Sequence, residues 1–122
     1  SKYSKIFGLS KTSFGYCFHT ERELNPTIYI DCGYAALISR IEIYNRFDSH
    51  FERSFPIEIS IGMSKPEQKQ ISVIDKSWGQ NGEPFVMNTE NLGPFRYIKM
   101  VLKKEEFFHL GSIKIFENSF LN

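Results

Sequence analysis

An all-β jelly-roll sandwich is the fold class this sequence predicts, on three observations. Several segments alternate apolar and polar residues with a period of two, turn-forming residues punctuate them at short intervals, and no segment carries a sustained helical stripe. A two-residue period sends successive side chains to opposite faces, so that one face can be buried while the other stays wet. With 122 residues, 41% of them hydrophobic and 16% aromatic, the chain can fill one core without crosslinks. That composition sets a disordered chain aside. Residues 1–122 read as one domain. The opening Ser1-Lys2-Tyr3-Ser4-Lys5 lacks the apolar stretch of a signal peptide and reads as the cut end of a longer protein.

Taken in order, the first strand falls at residues 27–31, after the turn-former Asn25-Pro26 and before Cys32-Gly33. The next places Leu37, Ile41 and Ile43 on one face and Arg40, Glu42 and Tyr44 on the other. Ile57, Ile59 and Ile61 alternate with Glu58 and Ser60, and Lys65-Pro66 follows as a turn. Shorter candidates lie at residues 71–74 and 85–88, separated by the turn from Gly79 to Gly82. After Gly93-Pro94, the residues Ile98, Met100 and Leu102 share a face, with Lys99 on the other. The charged stretch from Lys103 to His109 reads as a single turn or a loop, with His109 and His50 solvated. Ile113 and Ile115 flank Lys114 in a closing strand. Six to eight short strands of this kind suit a sandwich or jelly roll.

The charge balance limits the partners. Fifteen basic against fourteen acidic side chains leave a net charge of +1, and the only dense basic run, Lys103-Lys104, is followed at once by Glu105-Glu106. A nucleic-acid binder concentrates positive charge in a patch or stripe, so neither DNA nor RNA is an expected partner. The same near-neutrality argues against strong attraction to an anionic membrane, and no run of about 18 apolar residues exists to span one. The two cysteines, Cys17 and Cys32, are too few for a disulfide framework or a zinc site. They flank one strand that holds them beyond the about 7 Å Cα limit for a bridge, so both are expected as free thiols.

Catalytic motifs are missing: there is no Gly-x-Ser-x-Gly elbow, His-Glu-x-x-His, Gly-rich phosphate loop or Cys-x-x-Cys. Two polar groups remain as candidate binding elements. One is the segment Asn45-Arg46-Phe47-Asp48-Ser49-His50-Phe51-Glu52-Arg53, a loop between two strands. Two guanidiniums with Asp48 and Glu52 beside them form an array of donors suited to sugar hydroxyls or carboxylates. The same residues equally suit a loop braced by Arg46 and Arg53 pairing with Asp48 and Glu52. The other group is Phe14-Gly15-Tyr16-Cys17-Phe18-His19-Thr20-Glu21, where Phe14 and Tyr16 offer ring faces for the C–H side of a sugar. His19 there reads first as a structural hydrogen-bonding residue and second as a ligand contact. Trp78, the only tryptophan, reads as buried beside the core, with sugar stacking second.

Three pieces of this sequence resemble the F5/8 type C (discoidin) family, in particular its fucolectin-like branch. They are Phe18-His19-Thr20-Glu21 with Asn25-Pro26 and Ile28-Tyr29-Ile30-Asp31; the run Asn45-Arg46-x-Asp48-x-x-x-Glu52-Arg53; and Pro94-Phe95-Arg96-Tyr97-Ile98-Lys99 with Leu110-Gly111-Ser112-Ile113-Lys114-Ile115. The resemblance implies a galactose-binding-like jelly roll with ligands at its loop end, and sugar contacts at Arg46 and Arg53. Phe14 stands where the family's third sugar contact, a histidine, falls. The family's calcium site draws on an acidic N-terminal stretch and a Cys-Glu pair, and Gly111-Ser112 replaces that pair here. No cofactor is therefore expected, calcium included. The function this implies is a non-catalytic carbohydrate-binding module that recognises a glycan through a two-arginine loop, appended to a glycan-processing enzyme. Arg46, Arg53, His19, Phe14, Tyr16 and Asp48 are its ligand-binding residues. The alternative is a discoidin domain that docks on protein or membrane through the loop-tip aromatics Phe47 and Phe51.

Overall fold

The computed structural model describes residues 3–9, 17–46 and 51–118. Its strands are β1 (Tyr3–Leu9), β2 (Phe18–His19), β3 (Glu23–Leu24), β4 (Thr27–Tyr44), β5 (Ile57–Gly62), β6 (Lys69–Ile74), β7 (Phe85–Asn88), β8 (Pro94–Leu102), β9 (Glu105–Glu106), β10 (His109–Leu110) and β11 (Ser112–Asn118). A single turn of 3-10 helix, Phe51–Arg53, precedes β5. The main hydrogen-bonded path runs β1-β11-β4-β8-β5-β6, with β7 also paired to β4, and every pairing is antiparallel.

β4 holds the architecture together. Its C-terminal half pairs with β11 and β7, while its N-terminal half pairs with β8, so the strand passes from one layer of the sandwich into the other. The hand-over falls after Leu37, and a wide irregularity in the β8 ladder precedes it. Asp31 stands opposite Tyr97 and Ala36 opposite Phe95, which leaves the four residues 32–35 facing Arg96 alone. Gly33 takes φ +89°, a conformation glycine adopts without steric cost. Asp31 braces the excursion: its Oδ1 accepts from the Gly33 amide at 2.7 Å, and both its oxygens accept from the Arg96 guanidinium at 2.8 and 3.0 Å. The sequence reading ended a strand at Cys32-Gly33 and began another near Leu37. Instead one strand continues through a bulge, and Cys32 lies within it.

A second bulge corrects the face assignment. Arg40 pairs with Phe116 and Ile38 with Glu117, so Ser39 is an extra residue in the ladder. Side-chain parity flips there. Ile41 and Ile43 are fully buried, as their alternation predicts, but Ile38 at 1% exposure takes the core place expected of Leu37. Ser39 is buried with its hydroxyl donating to the Phe116 carbonyl, and Thr89 donates to the Ile38 carbonyl. These bonds satisfy backbone groups that the bulge takes out of the ladder.

The remaining alternations hold. Ile57, Ile59 and Ile61 in β5, Ile98, Met100 and Leu102 in β8, and Ile113 and Ile115 in β11 all face the core. Trp78 is buried as expected, its indole N–H donating to the Ile43 carbonyl at 3.0 Å. The stretch from Lys103 to His109, read as a turn or loop, contains β9 and the start of β10. Both are two-residue ladders, β9 on β3 and β10 on β2, and β1 is a further strand that the alternation missed.

Candidate functional site

The segment between β4 and β5 is pinned at both of its ends, to Gly111 just after β10 and to His109 within it. At the first, the Gly111 amide donates to the Tyr44 carbonyl at 2.8 Å, and Gly111 lies so close to Asn45 that a Cβ there would stand 2.6 Å from the Asn45 carbonyl oxygen. Asn45 is itself buried: its side-chain amide donates to the Trp78 carbonyl at 3.0 Å, and its Oδ1 accepts from the Arg46 amide at 2.8 Å. At the second end, the buried Ser54 hydroxyl donates to the His109 carbonyl at 3.0 Å. Arg46 follows the first pin directly and Arg53 precedes the second. The scaffold thus delivers both arginines of the motif to the neighbourhood of β10, whose ladder partner β2 carries His19.

His19 is exposed, and its ring stacks on that of His109 with centroids 5.3 Å apart and planes 26° from parallel. Its Nδ1 is 2.9 Å from the Thr20 carbonyl. Phe107 lies beside it, centroid to centroid 5.4 Å, and the Arg53 guanidinium carbon sits 5.4 Å from the centre of the same Phe107 ring. One half-buried phenyl ring therefore connects His19 to Arg53. Behind them, Phe18 meets Phe108 edge-on at 5.1 Å, which fills the base of this end of the sandwich.

Among the described residues, a carboxylate facing Arg53 is that of Glu106, while Asp48 of the bracing reading lies outside them. Glu106 Oε1 is 3.9 Å from Arg53 Nε and 3.9 Å from Arg22 Nη1, while accepting the Phe107 amide at 3.0 Å. At 3.9 Å these are charge contacts rather than hydrogen bonds. The guanidinium of Arg53, with its side chain 28% exposed, keeps donor capacity to turn toward a ligand. Glu52 contributes its backbone carbonyl to Lys104 Nζ at 3.2 Å.

Of the sequence-derived candidates, the structure brings His19 and Arg53 together and sets Arg46 at the root of the same segment. Phe14, Tyr16, Asp48, Phe47 and His50 lie outside the described residues. His109, expected to be solvated, is fully buried beneath His19. Phe107, Glu106 and His109 are the members that sequence reasoning missed, because a two-residue ladder leaves no alternation to detect. Cys17 and Cys32 are both unbridged; burial pushes the Cys17 thiol up to about 11. Among the described residues no three His, Cys, Asp or Glu side chains are grouped as metal ligands would be.

No family model matches this sequence, and no curated protein matches it either. Solved structures do share its shape. The fucolectin from the serum of the striped bass, Morone saxatilis, superposes with a TM-score of 0.69 at 18% identity, over 94% of this chain and 45% of that one. The lectin domain of lectinolysin complexed with Lewis b antigen gives 0.66 at 18% identity, over 94% of this chain and 93% of that one. A CBM32 module from Clostridium perfringens in complex with GalNAc-β-1,3-galactose gives 0.66 at 14% identity, over 92% and 94%. This chain therefore has the galactose-binding-like β-sandwich fold, as its sequence motifs imply.

Proposed function

We propose that this protein is a non-catalytic carbohydrate-binding module whose glycan docks on the β2–β10 end of the sandwich. The observation that carries this reading is the convergence of His19 and Arg53 on Phe107, with Arg46 held at the root of the same pinned segment. A guanidinium and an imidazole beside an aromatic ring suit a sugar, with donors for hydroxyl oxygens and an apolar plane for the C–H face. The solved structures sharing the fold include a lectin domain with Lewis b and a CBM32 module with GalNAc-β-1,3-galactose, which adds support. Other CBM32 modules of this shape come from a family 31 glycoside hydrolase, in keeping with attachment to a glycan-processing enzyme.

Docking would be reversible and weak for a single module, since each exposed hydrogen bond contributes about 0.5–1.5 kcal/mol net. The test is a glycan array on this chain, followed by titration of the glycan retained best. Arg53→Ala and His19→Ala are each expected to weaken that glycan at least about tenfold, as is Arg46→Ala, with the melting temperature shifted by a few degrees at most. Retained affinity in all three would place the glycan elsewhere, and outright unfolding of Arg46→Ala or Arg53→Ala would favour the bracing role.

A further inference from the structure

The outward face of the β4–β8–β5–β6 layer carries a second arrangement, remote from the β2–β10 end in its residues and opposite in orientation to the core. Residues directly across an antiparallel pair share a face. Tyr29 is opposite Lys99, Lys99 is opposite Ser60, and Ser60 is opposite Gln70, so these four form one row across four strands. Their neighbours Ile30, Ile98, Met100, Ile59 and Ile61 are buried, which turns the row to solvent. At about 4.8 Å between strands the row spans roughly 14 Å, long enough for an oligosaccharide rather than a single sugar.

Its chemistry is unusual for a solvated sheet face. Tyr29 is 39% exposed, and two ammonium groups converge on its one ring: Lys65 Nζ at 5.3 Å from the centroid and Lys99 Nζ at 5.8 Å. Like charges placed together repel, so such a pair is normally accompanied by carboxylates. Here Asp31, two residues beyond Tyr29 along the same strand and on the same face, is engaged by both arms of Arg96. Among the described residues neither Lys65 nor Lys99 forms an ion pair. Lys65, Lys99 and Arg96 (three positive) against Asp31 (one negative) leave two positive charges in excess among these four, and Glu58, farther along the same face, is opposed by Lys103. Beyond them the row continues with a hydroxyl, Ser60, and an exposed amide, Gln70.

We infer that this sheet face is a second binding site, for an acidic glycan whose sulfate or carboxylate groups pair with Lys65 and Lys99 while a sugar ring packs on Tyr29. Charge complementarity selects the anion, and the hydroxyl and amide along the row select a polyhydroxylated chain over a compact ion. The inference stands on residues separate from the His19–Arg53 end, so either can fail without the other.

A heparin-derived tetrasaccharide is the probe, titrated in low salt against the 15N-labelled chain, with its desulfated, N-acetylated and carboxyl-reduced counterpart as the uncharged control. Amide shifts are expected at Tyr29, Ser60, Lys99 and Gln70, with the Lys65→Gln/Lys99→Gln double variant weakened at least about tenfold and Arg53→Ala unchanged. Tyr29→Leu, which keeps an apolar side chain but removes the ring, should weaken binding several-fold with its melting temperature retained. Shifts confined to β2 and β10, equal binding of the uncharged sugar, or an unaffected double variant would each overturn the assignment. Vesicles containing phosphatidylserine should not sediment the chain at 0.15 M salt. Sedimentation lost in the double variant would move the site to lipid headgroups and overturn the glycan reading.

Discussion

Replacing Gly111 by alanine tests the pin that holds the two-arginine segment. The added Cβ would stand 2.6 Å from the Asn45 carbonyl oxygen and 3.2 Å from that of Tyr44, both backbone atoms. A flexible side-chain tip would swing aside, but here the backbone of residues 44–45 or of β10 must move. Overpacking of this kind costs about 1–3 kcal/mol. With an unfolding entropy of ~2.1 cal/mol/K per residue, a chain of 122 residues loses about 4 °C of Tm per kcal/mol. The melting temperature should therefore fall by about 4–12 °C. The displacement should also reach Arg46, whose amide is bonded to Asn45 Oδ1, and weaken the glycan about 2- to 10-fold, in line with one impaired hydrogen bond. Differential scanning calorimetry reads the first effect and titration of the retained glycan the second. A Gly111→Ala protein that melts within about 1 °C of the parent would refute the close approach and, with it, the pinning of this segment to β10.

Three further outcomes follow from described groups. Cys17, with its thiol pushed up from 9.0 to about 11 by burial, should carry about 100-fold less thiolate than an ordinary cysteine. Alkylation at pH 8 should be correspondingly slow in the native chain and fast in denaturant; equal rates would contradict that burial. The Arg96 guanidinium, followed by the Gly33 amide, holds the Asp31 carboxyl down from 3.8 to about 2. Because the folded value is the lower one, the brace contributes fully above about pH 4 and is lost as pH falls through about 2. An NMR titration of the Asp31 carboxyl should show that midpoint, and Arg96→Gln should raise it; a midpoint near 3.8 in the parent would count against the brace. Chelator should leave the melting curve unchanged, since a hard cation needs about six to eight oxygen ligands; a loss of stability that calcium restores would overturn this.

Most of the core was legible because long strands with one buried face must alternate, and Ile57 to Ile61 or Ile98 to Leu102 do so without interruption. Alternation does not survive a bulge, however. Ser39 and residues 32–35 each insert residues into the ladder, and nothing in a period-two pattern marks where the count will slip. That is why Leu37 and Ile38 exchanged places and why one strand was read as two. At the candidate site the arginines and His19 were visible as residue types in polar segments. Phe107 and Glu106 were not, because β9 and β10 are too short to impose a pattern. His109 was misread because a histidine between Phe108 and Leu110 looks like the solvated end of a charged run until β2 is laid over it.

The bulged β4 has a consequence for how this molecule can move. Sandwiches whose layers are separate sheets can shear along their shared interface, each sheet keeping its own hydrogen bonds. Here the covalent chain of β4 runs through both, pairing with β8 as far as Leu37 and with β11 from Ile38 onward. Sliding one layer against the other would strain that strand between Leu37 and Ile38, a few residues past the bend that the Asp31 carboxylate and Arg96 guanidinium hold. The layers are thus a single rigid frame. Compliance at the proposed binding end belongs to the exposed two-residue ladder β3–β9, whereas β10, with His109 and Leu110 fully buried, moves only with the frame.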